Sequence, residues 1–368
     1  MKVDLNIANK ATWLSTKTPY IIAGPCSVES EHQVLTTAQE LAKSNKISVL
    51  RGGIWKPRTR PNSFEGIGEE GLPWLKKAGL AIGLPVATEV AKAEHVEACL
   101  KNNIDMLWIG ARTTVNPFSV QEIADALKGV DIPVFVNNPI TQDLNLWIGA
   151  LERINAAGID KIGAIHRGFT SYNKNGYRNA PMWELPIDLK LRCPDLPIIC
   201  DPSHISGNRD LIGKVAQKAL DLEMDGLMIE SHVNPDKALS DVEQQVTPSQ
   251  LERIINQLQL RKAGTNNQEF TNNLVQLRAI IDEIDEEIVE QFAKRMEVVE
   301  KIGEYKRDND VIILQLERWE YILRTRSDIA EKAGLSADFI KKMLDIVHQE
   351  SIRLQTKVMN NPRISEDI

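Results

Sequence analysis

Along the first 260 residues, short apolar runs alternate with amphipathic stretches. The runs occupy 20–24, 47–50, 85–88, 106–109, 133–136, 161–165, 196–200 and 226–229. Each has four or five residues and most are rich in Val and Ile, the pattern of a strand buried on both faces. Between them, apolar positions recur at helical spacing over 31–44, 93–101, 118–128, 144–157 and 208–222. Eight such strand–helix units predict a (β/α)8 TIM barrel of the α/β class. An open doubly wound sheet would show the same alternation, but eight is the barrel's number.

After residue 260 the period changes. A polar stretch at 261–270, containing Lys262, Gly264 and Asn266, reads as a linker. Beyond it Leu274, Leu277, Ile281, Ile284 and Ile288 keep 3,4 spacing, the seam of a helix that packs lengthwise on another. No proline interrupts 271–307, so the helix would be a rod of roughly 55 Å. That is too long to fold back on one small domain, and it predicts packing against a partner chain. Two shorter helices are expected at 314–333 and 337–359, the second opened by Ser336 and Asp338 after Gly334. The expected organisation is a barrel over 1–260, a linker over 261–270, an all-α domain over 271–358 forming an intertwined dimer, and a tail over 359–368.

Composition narrows the function classes. The 368 residues are 42% hydrophobic and 26% charged, with a net charge of −7. An acidic chain of this kind does not carry the basic face of a nucleic-acid binder. No apolar run approaches the roughly 18 residues of a membrane helix, and residues 1–17 lack a secretory signal. Four cysteines are too few for a disulfide framework and read as cytoplasmic thiols.

Chemistry follows directly after each run. Pro25-Cys26, Arg51-Gly52-Gly53, Glu89, Gly110-Ala111-Arg112, Asn137-Asn138, His166-Arg167, Asp201-Pro202-Ser203-His204 and Glu230-Ser231-His232 stand there. A barrel gathers the C-terminal ends of its strands at one mouth, so these groups would converge. Cys26, His204, Glu230 and Asp241 make a mixed soft and hard donor set, suited to a borderline divalent ion such as Mn, Fe, Co or Zn. Their spacing decides nothing, because they come from distant loops, and each taken singly has an ordinary structural reading. Arg51, Lys56, Arg58, Arg112 and Arg167 crowd like charges together, which makes sense only with dianionic guests. Arginine's planar fork pairs with phosphate and carboxylate, so a phosphorylated, carboxylated substrate is expected.

Gly24-Pro25-Cys26-Ser27-Val28-Glu29, Lys56-Pro57-Arg58-Thr59, Gly110-Ala111-Arg112, Asp201-Pro202-Ser203-His204 and Ala238-Leu239-Ser240-Asp241 occur in an order that resembles the 3-deoxy-D-arabino-heptulosonate 7-phosphate (DAHP) synthase family. The resemblance spans 15–260 and is closest to the compact subclass. It implies a metal-dependent condensation of phosphoenolpyruvate with erythrose 4-phosphate. By position, Cys26, His204, Glu230 and Asp241 would hold the metal. Arg51, Lys56, Arg112 and Arg167 would hold phosphoenolpyruvate, Arg58 and Thr59 would meet erythrose phosphate, and Lys56 is the candidate for proton delivery. The chain departs from the family after the fifth strand, where a lysine that reaches phosphoenolpyruvate is replaced by Asn137. An amide donates a hydrogen bond but no charge, so the loss is expected to be compensated elsewhere.

In the long helix, the heptad places Arg295 where an apolar residue is due, and Lys306 follows three turns later on the same face. Arg278 lies roughly 80–100° round from both. An arginine buried there needs an anion, either a nearby glutamate or a ligand. Arg278, Arg295, Lys306, Arg318, Ser351 and Gln355 recur at a spacing that resembles the all-helical chorismate mutase family over 271–358. The resemblance implies rearrangement of chorismate to prephenate in an intertwined homodimer, or a higher assembly built on it, with Arg278 serving the partner's site. Arg278 and Arg295 would grip the carboxylates, and Lys306 and Gln355 the ether oxygen. The family's acidic residue that meets the substrate hydroxyl is replaced by Trp319, with Glu317 or Glu320 as substitutes. The expected whole is a bifunctional shikimate-pathway enzyme whose first reaction is restrained by the second domain's ligand. The alternative is a synthase whose tail only binds a regulator and dimerises.

Overall fold

The computed structural model describes residues 2–14, 19–56, 63–172, 176–262 and 264–360. The chain divides into two units, Met1–Ala263 and Gly264–Ile368.

The first unit is a closed barrel of eight parallel strands in sequential order. They are β1 (Tyr20–Gly24), β2 (Val49–Arg51), β3 (Val86–Val90), β4 (Met106–Ile109), β5 (Val134–Asn137), β6 (Ile162–His166), β7 (Ile198–Cys200) and β8 (Gly226–Glu230). Pairing of β1 with β8 over its whole length, Tyr20 with Gly226 through Gly24 with Glu230, closes the ring. Several strands begin one or two residues after the apolar run does, for a physical reason. Pro85, Pro133 and Pro197 accept ladder hydrogen bonds from Leu50, Leu107 and Ala164 but have no N–H to donate. The run expected as one helix over 208–222 is a short 3-10 turn, Arg209–Leu211, followed by the helix Ile212–Asp221.

Strand alternation sorts each side chain inward or outward. Ile22, Val49, Ala87, Met106, Phe135, Ile165, Ile199 and Met228 point inward and form the barrel's own core. Trp13, from the helix Lys10–Trp13, packs against Phe135 with ring centroids 5.7 Å apart. The intervening residues join the larger layer between strands and helices. Two residues further along, the inward position carries Gly24 on β1 and Arg51, Glu89, Trp108, Asn137, Arg167, Asp201 and Glu230 on or just past the other seven strands. Five of these eight positions are charged, so the barrel changes from apolar filling to a mainly charged layer within one pleat.

Among its described residues the second unit has three helices, Gln268–Asp308, Leu316–Lys332 and Ala337–Met359. The first, at 41 residues, runs about 60 Å. The long and last helices approach closely at Gly303, where an added Cβ would lie 3.3 Å from Gln355 and Val358. Val299, Val347 and Ser351 are buried along this unit's helices. The N-terminal half of the long helix behaves differently, because Leu277, Ile281, Ile284 and Ile288 of the expected seam are all exposed. No helix among the described residues is long and apolar enough to cross a membrane.

Candidate active sites

At the barrel mouth, the four expected metal ligands come together. One donor atom each from Cys26, Glu230 and Asp241 lies within 4.8 Å of the other two. His204 Nε2 is 3.7 Å from Glu230 Oε1 and 3.9 Å from Asp241 Oδ2. Its other ring nitrogen, Nδ1, is 2.7 Å from Asp201 Oδ2, and Asp201 also accepts from the His204 backbone N–H at 2.9 Å. That pair of contacts fixes the ring so that Nε2 faces the other donors, as the outer partner of a ligating histidine does. Gln244 Nε2 donates to Glu230 Oε2 at 2.6 Å. Glu230 Oε1 is buried and accepts no hydrogen bond among the described residues. A buried carboxylate oxygen that accepts no hydrogen bond, among sulfur, nitrogen and oxygen donors, fits a borderline divalent ion.

The site's charges shape one another. Burial pushes the Cys26 thiol up to about 12, with Glu230 adding to the rise. Burial acts against the Asp241 carboxylate, but His204, Arg178 and Lys56 more than offset it and hold its pKa below the ordinary value. For Lys56, burial disfavours the ammonium, yet Cys26 and Glu230 leave its pKa raised overall. Asp241 itself adopts φ 48°, a left-handed backbone uncommon outside glycine.

Around these donors the mouth is lined by Arg51, Lys56, Arg112, Asn137, Arg167 and Arg178. Arg51 is buried, lies 3.4 Å from Glu230 Oε1 and sits 4.9 Å above the Trp108 ring. Trp108 in turn donates to Glu89 Oε2 at 3.1 Å. Gly110 makes room for that carboxylate, since a Cβ there would stand 2.2 Å from Glu89 Oε1. Arg58 and Thr59 lie outside the described residues. Arg178, Glu89, Asp201 and Gln244 belong to the mouth although no role was expected of them. Glu89 and Asp201 carried a signal, being strand-end positions in the inward register. Arg178 carried none, because its pairing with Asp241 at 3.2 Å and with Gln244 spans more than 60 residues.

In the helical unit, Arg295 Nη1 donates to Ser351 Oγ at 2.7 Å. Lys306 Nζ donates to the Ile313 carbonyl. Gln355 is buried, and its Oε1 makes no hydrogen bond among the described residues. Burial lowers the pKa of both Arg295 and Lys306. Arg318 is exposed and sits 5.1 Å above the Tyr321 ring. Arg278 is exposed and does not join this set. It precedes Arg295 by 17 residues, about 25 Å along a helix. Trp319 stacks on His348 with centroids 4.0 Å apart.

The first unit is thus a (β/α)8 barrel whose mouth sets several cations beside a mixed sulfur, nitrogen and oxygen donor set. The family model of the DAHP synthetase I family matches residues 9–265, and that of chorismate mutase type II matches residues 277–356. The chain belongs to the DAHP synthetase I family, and its helical unit is a chorismate mutase type II domain. A phospho-2-dehydro-3-deoxyheptonate aldolase of Thermotoga maritima is 34% identical over 224 residues, covering 61% of this chain and 64% of that protein. The chain thus spans less than two thirds of that relative's length. A 2-dehydro-3-deoxyphosphooctonate aldolase of Acidithiobacillus ferrooxidans is 29% identical over 275 residues, covering 69% of this chain and 93% of that protein. The crystal structure of the Thermotoga DAHP synthase superposes with a TM-score of 0.59 at 32% identity, over 64% of this chain and 67% of that one.

Proposed function

We propose that this chain is a bifunctional shikimate-pathway enzyme. Its barrel condenses phosphoenolpyruvate with erythrose 4-phosphate to DAHP, and its helical domain rearranges chorismate to prephenate. The observation that carries the barrel reading is the meeting of the Cys26, His204, Glu230 and Asp241 donors with Arg51, Lys56, Arg112 and Arg167 at one mouth.

Cys26, His204, Glu230 and Asp241 would hold a divalent ion (Mn, Fe, Co or Zn), which would supply Lewis acidity toward the aldehyde oxygen. Arg51, Arg112 and Arg167 bind the carboxylate and phosphate of phosphoenolpyruvate, Asn137 adds a hydrogen bond, and Arg58 and Thr59 take the erythrose phosphate. Fixing both substrates removes much of the entropic cost of their encounter. C3 of phosphoenolpyruvate bonds to the aldehyde carbon, Lys56 delivers the proton to the aldehyde oxygen, water adds at C2, and phosphate leaves. Arg178 is a further cation at the mouth and compensates for the missing lysine at Asn137.

In the helical domain, Arg295 and the partner's Arg278 grip the two carboxylates of chorismate. Lys306 and Gln355 stabilise the ether oxygen as the C–O bond breaks and the C–C bond forms. Ser351 orients Arg295, and Arg318 supplies a further cation. The reading as a homodimer rests on the exposed seam Leu277, Ile281, Ile284 and Ile288 and on the distance between Arg278 and Arg295. A ligand of this domain, prephenate or chorismate, restrains condensation at the barrel, and the chain works in the cytoplasm.

The test is to supply the purified chain with phosphoenolpyruvate and erythrose 4-phosphate, and separately with chorismate. Phosphate release and prephenate formation are expected; a barrel that releases no phosphate with any of the four metals contradicts the reading. Titrating prephenate, and separately chorismate, into the condensation assay tests the restraint, and a rate unaltered by both removes it.

A further inference from the structure

The mutase site has a polar group that its family resemblance does not supply, and the inference drawn from it rests on the mutase reading above. Trp319 stands where an acid would meet the ring hydroxyl of the substrate. Its indole instead lies flat on the imidazole of His348, with centroids 4.0 Å apart and the planes within 10° of parallel. The stack joins the middle helix to the last and fixes the plane of the imidazole.

His348 precedes Ser351 by three residues and Gln355 by seven, so the three share one face of the last helix. This is the face that Arg295 meets through Ser351. Burial and the charges of Arg295 and Lys306 hold the His348 pKa below the usual histidine value, which leaves a neutral ring at pH 7. Its Nε2 is buried and has no hydrogen-bond partner among the described residues. A buried polar atom in that condition is uncommon and calls for a partner.

The polar groups of chorismate decide which partner. Its two carboxylates are matched by arginines, and its ether oxygen by Lys306 and Gln355. The ring hydroxyl is left. A hydroxyl both donates and accepts, so it pairs with a neutral imidazole in either tautomer. A neutral imidazole is a poor match for a carboxylate beside two cations that compete for it. We propose that His348, held in plane by Trp319, binds the ring hydroxyl of chorismate through Nε2, in place of the absent carboxylate. Position 348 is then a substrate-binding residue, and Trp319 is a positioning residue that acts through it.

The experiment compares kcat/KM for chorismate and for its analogue lacking the ring hydroxyl, in the full-length chain. His348→Phe keeps a stacking ring and removes the nitrogens; His348→Leu is a second apolar variant should the first not fold. Either is expected to lose about tenfold on chorismate, the size of one hydrogen bond to substrate, and to match the wild type on the deoxy analogue. His348→Gln restores part of the loss on chorismate only. Equal losses on both substrates overturn the assignment and leave His348 a packing residue. A wild-type chain that does not turn over chorismate overturns the mutase reading itself, and this assignment falls with it.

Discussion

Arg295 Nη1 donates to Ser351 Oγ at 2.7 Å, and Ser351 passes its own hydrogen to the Val347 carbonyl at 2.6 Å. The two residues are 56 apart in sequence, and the contact fixes a guanidinium of the long helix against the last helix. Ser351→Ala leaves the charge in place but frees its direction. Chorismate kcat/KM is expected to fall roughly tenfold, the effect of losing a charge-assisted hydrogen bond. Condensation in the same preparation should be unchanged.

Asn137 ends β5 at the barrel mouth, buried, with its Oδ1 unpaired among the described residues. Asn137→Lys adds a cation to the mouth where phosphoenolpyruvate is proposed to bind. Steady-state kinetics should show KM for phosphoenolpyruvate reduced by about tenfold, in line with one charge-assisted hydrogen bond, with Asn137→Gln near wild type. A raised KM in the lysine variant would mean that Arg178 and its neighbours already saturate the subsite.

Much of the architecture was legible because a strand buried on both faces is an uninterrupted apolar run, and eight such runs leave few alternatives. Strand ends were less legible where Pro85 and Pro133 extend an apolar run but cannot donate to the ladder. Arg51, Arg167 and Glu230 could be read as strand-end groups whose inward register brings them together, whereas His204 comes from the helix Pro202–Ser206 and Asp241 from a loop beyond β8. Arg178 could not be read, since its contacts to Asp241 and Gln244 join segments with no common pattern. The Trp319–His348 stack was hidden for the same reason, and it turns an apparent defect in the motif into a built contact.

His166 is buried at the end of β6 between Phe169 and Trp183, and burial pushes its pKa down from 6.5 to about 3. Above pH 6.5 the ring is neutral in both the folded and the unfolded chain, and this group adds no pH dependence. As pH falls from 6.5 to about 3 the unfolded chain binds a proton that the folded one refuses, so stability is lost across that window. Urea midpoints from pH 7 to 4 should therefore decline less steeply in His166→Asn than in the wild type. Parallel slopes would show that the ring takes its proton without leaving the fold.

Ile281→Glu places a charge in the exposed seam of the long helix. Sedimentation velocity is expected to show a smaller species than the wild type, and mutase activity should drop because Arg278 no longer reaches a partner's site. Helix content should be retained, since the side chain is 55% exposed within one chain. A wild type that sediments as a monomer with full mutase activity contradicts the intertwined arrangement.

On the proposed reading one chain carries two distinct active sites, linked only through the helical domain's ligand, and only the barrel's needs a metal. The most direct measurement assays condensation and chorismate rearrangement side by side, on the wild type with and without chelator and on Cys26→Ala and Arg295→Ala. Chelator and Cys26→Ala should each abolish condensation and leave rearrangement intact, and Arg295→Ala should do the reverse. Condensation that proceeds undiminished in chelator, or in Cys26→Ala, would contradict the account.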